Sequence, residues 1–113
     1  MTATTAIAPP EPDLTAEQML ERARALTPVL RERQAATEAA GRILDDTQAA
    51  LVEAGLYRAL QPRRFGGYEF TLREFVAIMT EISRGCPSTG WSLTLTAGHP
   101  HLLSHWGEDA QAE

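Results

Sequence analysis

Between Arg84 and Trp106 the chain places its single cysteine, both tryptophans and all three histidines. Arg84-Gly85 reads as a helix end, because glycine tolerates the left-handed backbone that closes a helix. Pro87 suits the first turn of the next helix, where a missing N–H costs nothing. From there Trp91, Leu95, Gly98 and Leu102 follow helical spacing as an apolar stripe. Ser88, Ser92, Thr96 and His99 form a polar stripe on the same helix. The expectation is a helix buried on both sides, its apolar stripe against its own domain and its polar stripe lining a cavity. Gly98 and Pro100 flank His99, so the helix should bend or stop where that imidazole projects.

The remainder reads as helix, punctuated by turns. Residues 1–13, rich in Thr, Ala and Pro, form a disordered leader or extended arm, and residues 14–113 the folded part. Thr15 caps a first helix whose buried stripe is Met19, Ala23, Leu26 and Leu30. Pro28 should kink this helix or restart it, with Thr27 as the new cap. The helix runs on to Arg42, with Glu38 and Arg42 as a solvated i, i+4 pair. Asp45 or Asp46 caps the next helix, Leu51 and Ala54 face inward, and Gly55 closes it. Leu56 to Tyr68 is a loop, in which Gly66-Gly67 allows a tight turn. Arg63-Arg64 are either a phosphate hold or two solvated arginines beside that turn. Thr71-Leu72-Arg73-Glu74 is a capping box, opening a helix with Leu72, Phe75, Val76, Met79 and Ile82 as its apolar face. After Gly107 the acidic residues 108–113 begin a further helix without a stop signal, so the expectation is a fragment of a longer protein.

Composition serves mainly to exclude. The 113 residues suffice for one small core. All ten basic residues are arginine, and the net charge of −5 gives no support for nucleic-acid binding. No apolar run approaches the roughly 20 residues of a membrane span, and no signal-peptide core is visible. One cysteine cannot form an internal disulfide, so a reducing cytoplasm is the simplest address.

Gly85-Cys86-Pro87-Ser88-Thr89-Gly90-Trp91, with His99 eight residues later, resembles the acyl-CoA dehydrogenase-like flavoproteins. Its nearest likeness is their monooxygenase branch, the oxygenase components of two-component aromatic hydroxylases. Glu53-Ala54-Gly55-Leu56-Tyr57-Arg58 and Gln61-Pro62-Arg63-Arg64-Phe65-Gly66-Gly67-Tyr68 are similar to the same family's amino-terminal domain. The resemblance implies an all-α fold, the amino-terminal helical domain, with the β domain and carboxy-terminal helical bundle lying elsewhere in the intact protein. It also implies reduced flavin (FMN or FAD), O2, a small aromatic substrate, a separate NAD(P)H:flavin reductase and a homotetramer.

In that setting His99 is the catalytic candidate, orienting or deprotonating the substrate hydroxyl. Trp91 stands near the flavin ring, and Ser92 and Thr96 line the substrate pocket. From spacing alone, a histidine that only bonds a carbonyl at the helix end is the plainer account of His99, and Trp91 is by default a core residue. His101 and His105 have i, i+4 spacing but no third ligand, so no metal site is expected. Cys86 reads as a buried small residue, since neither a partner base nor a CxxC motif accompanies it. Two readings compete with the hydroxylase: an acyl-CoA dehydrogenase on the same fold, and a non-enzymatic helical interaction module.

Overall fold

The computed structural model describes residues 9–103, with side chains to residue 101. These residues form helices α1 (Ala16–Ala40), α2 (Asp45–Glu53), α3 (Leu72–Gly85) and α4 (Pro87–Leu103), with a short 3-10 turn at Leu56–Arg58. Among the described residues there is no strand. The all-α expectation therefore holds. Leu102's side chain, His105, Trp106, the leader up to residue 8 and the acidic run 108–113 lie outside the described residues.

The long α1 packs along α3, α3 packs on α4, and the 3-10 turn touches both α2 and α4. Thr15 caps α1 in a reciprocal box with Gln18, each side chain accepting from the other's backbone N–H. Met19, Ala23 and Leu30 are buried as their spacing predicts, and Leu26 is half-buried. Pro28 does not restart the helix. It sits exposed on an unbroken α1, while Thr27 is buried and no cap. The Thr27 hydroxyl donates toward the carbonyls of Ala23 and Glu81, which ties α1 to α3 beside the proline. Packing on both sides of Pro28 thus outweighs the lost helix bond, about 3 kcal/mol in an unsupported helix.

Other departures have equally local causes. α1 ends at Ala40 because Gly41 turns left-handed at φ 69°. Beyond that turn Arg42 pairs with Asp45 at 3.0 Å, and Glu38 accepts from Gln34, so the Glu38–Arg42 pair does not form. Asp45 and Asp46 lie inside the first turn of α2, beyond its Leu44 cap, where they face the positive end of the helix dipole. The Thr71–Glu74 box forms as expected. On α3, however, Leu72 and Val76 are exposed, and Phe75, Ile78, Met79, Ile82 and Gly85 make the buried face.

From Pro9 the arm packs against the helices. Glu11 grips Arg22 with both carboxylate oxygens at 2.6 Å, and Leu14 is buried. The loop before α3 is held by backbone bonds, among them Tyr68 N–H to Arg58 O and Phe70 N–H to Ala59 O. Gly67 is required there, since a Cβ would stand 2.0 Å from the Gln61 carbonyl oxygen. Arg63 reaches the Pro12 carbonyl, and Arg64 lies over the Phe65 ring. Both are exposed.

Candidate functional site

The α3–α4 junction is a single residue, Cys86, whose N–H closes α3 on Ile82 and whose carbonyl opens α4 by accepting from Gly90. Its thiol is buried, with Ser88 Oγ 3.3 Å away. Burial pushes the thiol up, but hydrogen bonding by the Ser88 hydroxyl and by the backbone at Ser88 and Thr89 outweighs it, leaving the thiol below its ordinary value. So sharp a turn brings the start of α4 hard against α3. A Cβ on Gly90 would sit 2.0 Å from Ser83 Oγ and 2.8 Å from Ser83 Cα.

That contact decides the rotation of α4, and it overturns the expected apolar stripe. The buried face is Thr89, Gly90, Leu93 and Ala97, mostly small residues that allow a close approach to α3. Trp91 is 69% exposed and Leu95 47%. Ser88, Ser92, Thr96 and His99 are exposed as well. The described residues of the two stripes are therefore neighbours on one outer face rather than opposite sides of a doubly buried helix. Four predicted site residues, Trp91, Ser92, Thr96 and His99, come together on that face. Eight residues of helical rise separate Trp91 from His99 by about 12 Å along the axis. α4 does not stop at His99 but runs through Pro100 to Leu103.

Chemically, the face offers an exposed indole and two hydroxyls, Ser92 and Thr96, for which no protein partner is found among the described residues. His99 adds an exposed imidazole. A flat indole surface beside free hydroxyls suits a planar heteroaromatic ring with polar edges, so the residues fit a flavin. Among the described residues no three His, Cys, Asp or Glu side chains converge on a possible metal position. No described helix is long and apolar enough to cross a membrane.

One feature lies beyond sequence reasoning. A crevice of about 270 Å3 opens where the end of α1 meets α4, lined by Thr37, Glu38, Gly41, Arg42, Ile43, Ser88 and Ser92. It joins residues some 50 positions apart, and nothing local in the sequence signals it.

Residues 15–113 match the family described as acyl-CoA dehydrogenase, N-terminal domain. The chain belongs to this family. Within it, the chain is 38% identical over 94 residues to the oxygenase subunit HsaA, a flavin-dependent monooxygenase of Rhodococcus jostii (strain RHA1), covering 83% of this chain and 25% of that protein. It is 29% identical over 102 residues to the oxygenase component of p-hydroxyphenylacetate 3-hydroxylase from Acinetobacter baumannii, covering 90% and 24%. The crystal structure of 3-HSA hydroxylase from Rhodococcus sp. RHA1 superposes with a TM-score of 0.70 at 35% identity, over 82% of this chain and 26% of that one. This acyl-CoA dehydrogenase-type domain thus spans about a quarter of the length of the relatives it matches.

Proposed function

We propose that the polypeptide carrying this domain is the oxygenase component of a two-component flavin-dependent monooxygenase that hydroxylates a phenolic or polycyclic aromatic substrate. The observation that carries the reading is the outer face of α4. Trp91, 69% exposed, lies beside Ser92, Thr96 and His99 with no other described element over it. A tryptophan left open in this way signals a surface that something else covers. The similarity to flavin-dependent hydroxylases supports flavin and aromatic substrate as the covering groups.

Reduced flavin, FMN or FAD, supplies when bound the two electrons that activate O2. A separate NAD(P)H:flavin reductase delivers it, in keeping with the word "component" in the relative's name. Trp91 walls the ring. His99 is the catalytic residue: its imidazole accepts the proton of the substrate hydroxyl and makes the aromatic ring more electron-rich. Ser92 and Thr96 orient the substrate. Leu95 keeps the wall beside them apolar, which excludes water from the reacting atoms. The working protein is a cytoplasmic homotetramer.

The test uses the intact oxygenase with chemically reduced FMN or FAD, O2 and a panel of phenols, and measures hydroxylated product per flavin oxidised. High coupling in the wild type, falling at least tenfold in His99→Ala while flavin oxidation continues, supports the proposal. Oxidation of acyl-CoA thioesters without product from any phenol would instead establish a dehydrogenase. Absence of flavin binding would leave the helical-module reading.

A further inference from the structure

We infer that Pro100 gives the site a third polar group, the main-chain carbonyl oxygen of Thr96, and that this carbonyl selects aromatic substrates bearing two hydrogen-bond donors. The inference rests on the proposed hydroxylase site. In an α-helix the carbonyl of residue i accepts from the N–H of residue i+4. Residue 100 is proline, inside α4, and has no N–H to give. The Thr96 carbonyl therefore has no i+4 donor, although the helix continues to Leu103.

Elsewhere in this chain hydroxyls bond back onto helix carbonyls: Thr27 onto Ala23, Thr37 onto Arg33 and Thr80 onto Val76. No such bond reaches the Thr96 carbonyl from a described side chain. An amide carbonyl keeps a strong need for a donor, and losing water without gaining one costs free energy. Pro28 frees the Arg24 carbonyl in the same way, but Arg24 and Pro28 are solvent-exposed on α1, away from the candidate site. The Thr96 carbonyl is different because of its neighbour. Helical side chains lean toward the N-terminus, so the imidazole of His99 lies over the turn that contains Thr96. Thr96 and His99 are both exposed on the outer face.

Two acceptors then stand about one helical turn apart, an imidazole nitrogen and a fixed carbonyl oxygen. A single phenol hydroxyl serves His99 and leaves the carbonyl unsatisfied in a closed pocket. A ring with a second O–H or N–H donor, as in dihydroxybenzenes and aminophenols, satisfies both. The carbonyl can only accept, so a methoxy group in the second position is rejected. Thr96 acts here through its backbone, and Pro100 is a positioning residue that keeps the carbonyl available.

The experiment compares resorcinol with 3-methoxyphenol in the intact oxygenase, wild type and Pro100→Ala. Affinity is read from quenching of tryptophan fluorescence and turnover from product formed. The substitution favours helix, so folding is retained, and hydrogen exchange reports whether the amide introduced at position 100 bonds to Thr96. The expected result is a wild-type preference for resorcinol that falls about fivefold in Pro100→Ala, the size of one neutral hydrogen bond. Affinity for 3-methoxyphenol should rise, because the helix itself then supplies the Thr96 carbonyl with a donor. An equal loss with both compounds would reveal a merely structural role and overturn the inference, as would an unchanged ratio with the new amide protected. His99→Ala separates the two levels. If it leaves binding and turnover of both phenols intact, the site reading itself fails; if it lowers both while Pro100→Ala leaves the ratio alone, only the carbonyl's role fails.

Discussion

Gly90→Ala tests the packing that sets the rotation of α4, and its outcome is decided by two opposed terms. Replacing glycine by alanine inside a helix stabilises it by about 1 kcal/mol. Against this, the new Cβ would stand 2.0 Å from Ser83 Oγ and 2.8 Å from Ser83 Cα and Cβ. The hydroxyl can rotate away, but Cα belongs to the α3 backbone and cannot. To restore ordinary contact α4 must withdraw, and a gap of roughly 0.5–1 Å forfeits about a quarter to a half of the dispersion contact on that side. Leu93 and Ala97, both 0% exposed, share that interface. Overpacking of this kind costs about 1–3 kcal/mol. The backbone clash should offset the propensity gain and leave a net loss of up to about 2 kcal/mol. In a domain of this size that lowers Tm by up to roughly 10 °C. The assay is thermal unfolding of the chain followed by circular dichroism, with Gly98→Ala as the control. Gly98 lies in the same helix, but its Cβ would meet nothing within 4 Å. That variant should gain the full propensity term and melt a few degrees higher. Combining Gly90→Ala with Ser83→Gly should recover part of the loss, visible as a favourable coupling in the double-mutant cycle. If Gly90→Ala raised Tm as much as Gly98→Ala, the close α3–α4 contact and the outward placement of Trp91 would both be refuted.

Two further outcomes follow from the charged and sulfur groups. The hydrogen bond from Arg22, with burial opposing and the guanidinium charge assisting, holds the Glu11 carboxyl below its ordinary value. The folded-state pKa is depressed, so this pair's contribution is full above the unfolded carboxylate value of about 4.3 and is lost as pH falls through the folded value. The Tm difference between wild type and Glu11→Gln should therefore be constant from pH 7 to 5 and close on further acidification; a difference that persisted at pH 2 would contradict the ion-pair account. Cys86 opposes a lowered thiol pKa to near-complete burial, 1% exposed. Burial controls access, so labelling of the native chain by a thiol-reactive dye should be at least about tenfold slower than in denaturant. Equal rates would show that the α3–α4 junction opens freely.

The residues that could be read correctly from sequence share one property: their partners are near in the chain. The Thr15 and Thr71 caps depend on groups three positions away, and both formed. Met19, Ala23 and Leu30 on α1 were legible because a long helix repeats its stripe enough times to fix the phase. Trp91, Ser92, Thr96 and His99 could be collected as one candidate site because a single helix carries them all. The crevice at Arg42 and Ile43 could not, since it exists only where α1 and α4 meet.

The misread large apolar positions err in one direction. Leu72, Val76, Trp91 and Leu95 were assigned inward by their hydrophobicity, and all four are outward, with exposures between 47% and 69%. Periodicity reports that a helix has a distinct face; it does not say which neighbour that face meets. Here the tight α3–α4 contact selects Gly90, Thr89 and Ala97 for the inside, and on α3 Gly85 lies so close to Thr27 of α1 that a Cβ would stand 2.7 Å from its carbonyl oxygen. Small residues took the interior because the helices approach too closely for large ones. The large apolar residues were then left on the outer surface of the described residues. On the proposed reading, a domain that spans about a quarter of its relatives' length presents such a surface to flavin and substrate. The outward tryptophan that looked like a failed core prediction is, on that account, the same observation that supports a cofactor wall.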